Sequence, residues 1–306
     1  MPLTHWDDFV VDAHHDLGAF QLDRDAATAF HRAFDPAATD AAPSGLFLVV
    51  NLMRKLVDAY LGRAHGLGAA GVTDVAWVRD APLGVDLTVR LTVTAARPLK
   101  SRPGVGFAQL KQEVSAPDGR RVLSWRAHQF MRMRDSDAFE AKAPARLQAV
   151  PDSLALTPTH IVLGVHTFTR DDILAFAERF DPQRFHLDED AARDSLFGAL
   201  CASGWHTTAV WHRCLSDHLQ RQAAFAQYAA CGASSAHQQN ATAVRGLASV
   251  KWLTPTYVGD TLTFVTEPDA EAADPPPTPS AAPRTMTCYA INQFGQRTFE
   301  IEAILA

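Results

Sequence analysis

The chain carries one pattern twice. "FHRAFDP" (residues 30–36) and "FAERFDP" (176–182) match at an offset of 146, and Ser44-Gly45 answers Ser203-Gly204 at an offset of 159. Further on, "VAWVRDAPLGVDL" (75–87) answers "VKWLTPTYVGDTL" (250–262), pairing Trp77 with Trp252 and Gly84 with Gly259 at an offset of 175. Gly119 and Gly295 follow at 176. Four matches in one order argue for two diverged copies of a single unit, because internal repetition in a chain of this length reflects repeated architecture. The expected halves are residues 1–150 and 151–306, joined within 142–156.

Each copy reads as sheet wrapped on a helix. "VDLTVRLTV" places Val85, Leu87, Val89, Leu91 and Val93 on one face and Asp86, Thr88, Arg90 and Thr92 on the other, the period-two pattern of a half-buried strand. A hairpin is expected to turn at Pro117-Asp118-Gly119, with its counterpart near Phe294-Gly295. "SGLFLVVNLMRKLVDAYL" spaces Val49, Leu52, Met53, Leu56, Val57 and Tyr60 as a helix, and "SGWHTTAVWHRCLSDHL" is its partner in the second copy. The predicted order in each copy is lead-in helix, loop, central helix, then antiparallel strands. "DPPPTPSAAP" (274–283) reads as a polar hairpin loop, and 223–240 as a helix end followed by a loop.

The offsets differ between landmarks. From the FDP motif to the SG pair the second copy holds 13 more residues than the first, and this excess covers most of "RFHLDEDAARDSL". The second copy therefore owns an acid, Asp181, and an imidazole, His186, five residues apart, where the first has Asp35 and Asp40. Singly, Asp181 before Pro182 reads as a turn initiator, His186 beside Phe185 as a packing residue, and Ser203-Gly204 as a helix cap. Together, and present in one copy alone, they read as chemistry. Asp188-Glu189-Asp190 suit a helix cap and its first turn.

With "FDPQRFHLDED" and "LFGALCASGWHT" on the page, the second copy resembles the MaoC-type (hydratase 2) branch of the hotdog enzymes, over nearly all of residues 159–306 and weakly over the first copy. Gln183 and Arg184 stand where that family's usual motif has Asn and Pro. The resemblance implies an α+β fold, a tandem double hotdog in which each half is a curved antiparallel sheet around a long central helix. The first half would be degenerate and the second catalytic. It further implies a lyase of fatty acid metabolism, interconverting trans-2-enoyl and (R)-3-hydroxyacyl thioesters. Asp181 and His186 would do the acid–base work, and the Gly204 amide at a helix N-terminus would hold the thioester oxygen. Ser203, Trp205, His206 and Phe185 are placed around the substrate, although a packing role is the stronger reading for His206. A hotdog thioesterase and a non-catalytic acyl-thioester binder are the alternatives.

Composition sets outer limits. A net charge of −6 with no basic stripe argues against nucleic acid, and acyl-CoA is expected as substrate ahead of an acidic carrier protein. No stretch approaches the roughly 20 apolar residues of a membrane helix. The acidic opening holds no apolar run of signal-peptide length, so a cytoplasmic location is expected. Cys201, Cys214, Cys231 and Cys288 show no disulfide or CxxC spacing. None of His14, His15, His160, His166, His212, His218 and His237 has ligand spacing, so neither metal nor cofactor is expected. Pairing of two chains in a homodimer is left open.

Overall fold

The computed structural model describes residues 2–38, 43–134, 156, 159–229 (backbone alone over 225–229), 244–266 and 284–305. The first copy runs β1 (His14–Phe20), α1 (Arg24–Phe34), α2 (Gly45–Leu56) with a π-helical turn Val57–Leu61, β2 (Gly66–Trp77), β3 (Leu87–Pro98), β4 (Val105–Ser115) and β5 (Arg121–Arg132). The second runs β6 (Ile161–Thr167), α3 (Arg170–Phe180), α4 (Arg184–Leu187), α5 (Glu189–Arg193), α6 (Gly204–Ala229), β7 (Val244–Trp252), β8 (Thr261–Thr266), β9 (Arg284–Ile291) and β10 (Arg297–Leu305). This is the α+β double hotdog.

The ten strands among the described residues form one antiparallel sheet in the order β1-β3-β4-β5-β2-β7-β10-β9-β8-β6, so equivalent strands of the two copies follow in the same order outward from the β2–β7 seam. At that seam Gly71 pairs with Lys251 and Ala76 with Gly246. Leu87, Val89, Leu91 and Val93 of β3 are buried as their alternation requires. Both hairpins form where expected, β4 to β5 and β9 to β10.

In two respects the structure departs from the sequence reading. A strand, β1 or β6, precedes the lead-in helix in each copy; both lie at the sheet's edges and lack clean alternation, and β1 is broken by a bulge beside Gly18. Second, the 13-residue excess, expected as part of a loop, forms the two short helices α4 and α5; Asp188 caps α5 as its sequence predicts, accepting from the Ala191 amide at 2.7 Å. The expected junction at 142–156 lies outside the described residues apart from Leu156, as do Asp40, Cys231, His237 and the polar loop 274–283.

The repeated FDP motif has a structural cause. Helices α1 and α3 start at N-caps Asp23 and Thr169, which accept from the amides of Ala26 and Asp172. Both stop at an Asp-Pro pair, since a residue before proline is disfavoured in the helical region. Asp35 and Asp181 occupy nearly one conformation, φ −146°, ψ 66° and φ −149°, ψ 64°. The phenylalanines of the two motifs interlock, with Phe30 on Phe180 at 5.6 Å and Phe34 on Phe176 at 5.8 Å. The lead-in helices thus pack on each other, and each delivers an aspartate at its end.

The central helices begin alike. An added Cβ at Gly204 would lie 2.4 Å from the Trp252 indole, and one at Gly45 would lie 2.3 Å from Trp77. The tryptophan of each copy's strand lies flat on the first turn of that copy's central helix, and only glycine permits the approach.

Candidate active site

The carboxylate of Asp181, buried at the end of α3, is held from two sides. Its Oδ1 accepts from Gln183 Nε2 at 3.0 Å, and its Oδ2 accepts from Ser203 Oγ at 2.6 Å. The one-turn helix α4 turns the buried His186 back toward it, bringing Nε2 to 3.7 Å from Asp181 Oδ2. The other ring nitrogen, Nδ1, donates to the Cys201 carbonyl at 2.8 Å. That bond selects the tautomer in which Nε2 is an open acceptor facing the carboxylate. Burial pushes the His186 pKa below its ordinary value, while Asp181 and the Cys201 carbonyl pull it partway back. The imidazole is therefore neutral at neutral pH.

Ser203 precedes the first turn of α6, its Oγ also accepting from the Trp205 amide at 3.2 Å. Among the described residues, the Gly204 amide donates to no protein group, as expected of the first N–H of a helix. Asp181, His186, Ser203 and Gly204 all line one cavity of about 400 Å³. Two buried acceptors and a free helix-end donor in one small space can hold a water molecule and a carbonyl oxygen together.

Phe185 and Trp205 line this cavity too. Phe185 packs on His186 and Phe197, and Trp205 stacks on Trp125 of β5 with centroids 5.0 Å apart. The Phe197 ring sits over Gly68 of β2, where an added Cβ would be 2.8 Å away. His206 is not brought to the cavity. Its ring stacks on Phe176 at 4.6 Å and meets Phe34 and Phe168 edge-on, because a helix turns about 100° per residue and carries position 206 away from 204. Cys201 is buried, and burial followed by the Asp181 charge pushes its thiol pKa far up, so it is held as a thiol and serves through its carbonyl.

The stacked His206 yields a stability prediction. Its Nδ1 is buried without a hydrogen-bond partner, and burial, then His166, depress its pKa to about 3. The unfolded chain takes up this proton near pH 6.5 and the folded chain near 3, so stability falls as pH drops through that window. At about pH 5 the loss is roughly 2 kcal/mol. His206→Phe should shrink by that amount the difference between denaturant-derived stabilities near pH 7 and about pH 5. An unchanged difference would show that the ring protonates in the folded state.

Sequence reasoning missed Gln183 as the second holder of Asp181, although its departure from the usual Asn marked it. A degenerate first half is expected to complete the sheet and leave room for an acyl tail, but spacing named none of the residues it contributes: Met53, Leu56, Val72, Trp125, Ala127 and Gln129 line the cavity from that half. Asp35 is buried with its Oδ1 4.0 Å from His212 Nδ1 and does not line this cavity. Among the described residues no cluster of three or more His, Cys, Asp or Glu is placed to hold a metal, and no helix is long and apolar enough to cross a membrane.

The fold defines the class: a double hotdog of the architecture that MaoC-like dehydratases share, across nearly the whole chain. A protein named for a MaoC dehydratase domain, from Chloroflexus aurantiacus, superposes with a TM-score of 0.71 at 13% identity, covering 99% of this chain and 97% of that one. A double-hotdog protein of Mycobacterium tuberculosis gives 0.64 at 13%, covering 99% of both chains. A MaoC-like dehydratase of Phytophthora capsici gives 0.60 at 13%, covering 99% and 97%. At such identity the likeness is one of fold. No family model matches the chain. A 42-residue stretch, 14% of this chain, is 45% identical to the uncharacterized protein YdeM of Bacillus subtilis and spans 30% of that protein.

Proposed function

We propose that the chain is an (R)-specific hydratase/dehydratase interconverting trans-2-enoyl and (R)-3-hydroxyacyl thioesters. The observation that carries this reading is the 3.7 Å approach of His186 Nε2 to Asp181 Oδ2 in a cavity that also receives the free Gly204 amide. A water molecule donating to both acceptors has its lone pair available for carbon. As its oxygen bonds the β-carbon, His186 Nε2 takes one of its protons and the π-electrons of the enoyl group move onto the thioester oxygen. The Gly204 N–H stabilises that charge, an interaction worth about 2.7–4 kcal/mol in the transition state. The imidazolium, stabilised by Asp181, then returns the proton to the α-carbon, and the carbonyl reforms. Dehydration is the reverse.

Coenzyme A as the thiol is supported by an adjoining cavity of about 330 Å³, lined by His65, Arg132 and Arg184. The His65 pKa is depressed by burial and then by neighbouring His5, Arg132 and Arg134, the mark of locally crowded positive charge. Cations at a site mouth suit phosphates. On this reading Arg184→Ala should raise KM for an enoyl-CoA by roughly threefold to tenfold, discounted for its exposure, but not KM for the matching N-acetylcysteamine thioester.

The decisive assay offers trans-2-enoyl-CoA and follows the conjugated enoyl absorbance alongside free thiol. Loss of absorbance without thiol, giving (R)-3-hydroxyacyl product, supports the hydratase. Thiol release would instead make the same carboxylate the activator of water toward the carbonyl carbon, a thioesterase. Binding without either would make the protein an acyl-thioester binder.

A further inference from the structure

The far end of the cavity holds a polar cluster that the chemistry above does not use. On β5 the inward row is Trp125, Ala127, Gln129 and Met131, and Gln129 is the polar member. The buried Tyr60, in the π-helical turn after α2, donates to Gln129 Oε1 at 3.1 Å. This bond orients the carboxamide, leaving Nε2 as its open end. Among the described residues that nitrogen donates to no protein group, and Gln129 lines the cavity. Fully buried Gln112, on β4, approaches the same hydroxyl. Around them the lining is Met53, Leu56, Leu61, Val72, Ala127 and Met131.

The chain contains its own control. By the offset that aligns Gly45 with Gly204, Tyr60 corresponds to Leu219; by that aligning Gly119 with Gly295, Gln112 and Gln129 correspond to Cys288 and Leu305. The second copy packs all three of these residues against its core. The fold therefore works with leucine at the positions of both Tyr60 and Gln129. The first half, which lacks the acid–base pair, has instead a hydrogen-bonded group directed into the shared cavity.

Resting on the hydratase reading, we infer that Gln129, oriented by Tyr60, is a specificity residue whose Nε2 donates to an uncharged oxygen (hydroxyl, ketone or ether) on the acyl chain of the substrate. A carboxylate fits less well. Burial pushes the Tyr60 hydroxyl pKa far upward, so this end of the cavity resists negative charge, and Arg102, which also borders the cavity, is exposed. Along β5 the distance from Trp125, stacked over the catalytic helix, to Gln129 is about 13 Å. The oxygen is therefore far along the chain from the thioester.

The test compares trans-2-enoyl thioesters of equal length, one plain alkyl and one with a hydroxyl or keto group toward the tail, as CoA and N-acetylcysteamine esters. The full-length protein should favour the oxygenated chain by about tenfold in kcat/KM. Gln129→Leu, the residue of the chain's own second copy, should bring that ratio close to one, chiefly through KM, and Tyr60→Phe should lower it partway. The preference should survive with the short thiol. Equal use of both chains by the unaltered protein, or a preference seen only with CoA, overturns the inference. Tryptophan fluorescence, reporting Trp125 and Trp205, measures the same preference in binding of the saturated acyl thioesters. Preferred binding of the oxygenated chain without turnover would uphold the specificity role and reject the hydratase.

Discussion

Asp181→Asn is expected to lower kcat by about 10²–10⁴-fold while leaving the protein folded. The carboxamide has the shape of the carboxylate, and both partners adapt: Gln183 Nε2 still finds an oxygen, and the Ser203 hydroxyl can rotate to accept from the new amide. What is lost is the charge that faces His186 Nε2. That charge raises the His186 pKa against burial, and in the proposed mechanism it stabilises the imidazolium that would form as water is deprotonated. The residual rate should therefore carry an acid limb shifted to lower pH, since without Asp181 the Cys201 carbonyl alone is left to oppose burial at the imidazole. His186→Ala should cost a similar factor in kcat with no acid limb from this group. It also leaves the Cys201 carbonyl without its donor, a stability loss of about 1–3 kcal/mol. Stopped-flow enoyl hydration across pH, with thermal unfolding in parallel, separates the two effects. Asp181→Asn retaining a third of the original turnover would remove the carboxylate from the mechanism.

Gly204→Ala is expected to be costly twice over. Its Cβ would enter the Trp252 indole at 2.4 Å, and relieving that overlap by moving ring or helix costs about 1–3 kcal/mol of stability. The same movement carries the amide away from the thioester oxygen, which should reduce kcat by about 10²–10³-fold. Gly45→Ala separates these terms, because its Cβ meets Trp77 at 2.3 Å in the half that lacks the acid–base pair. The two variants should lose comparable amounts of stability, while the drop in kcat should belong to Gly204→Ala. An equal drop in both would mean that the Gly204 amide contributes only to packing.

Much of the candidate site is local in sequence and can be read there. Asp181, His186, Ser203 and Gly204 lie within one stretch, and the aspartate's conformation follows from the proline after it. The duplication, the central helices and the alternating strands also follow from spacing and period. Edge strands β1 and β6 escaped because a strand with one neighbour, partly exposed on both faces, shows no alternation to read.

The amino-acid order by itself determined that there are two copies, that one keeps an acid and an imidazole five residues apart, and which faces of the strands are buried. It did so because period and steric restriction act over a few residues. Only the folded chain decided what those faces bury against. The union of β2 with β7, the cavity wall built from Trp125 and Gln129, and the turning of His206 into a stack of phenylalanines join residues far apart in sequence. Periodicity marks a side chain as inward; the neighbour it meets there is set by packing between distant segments.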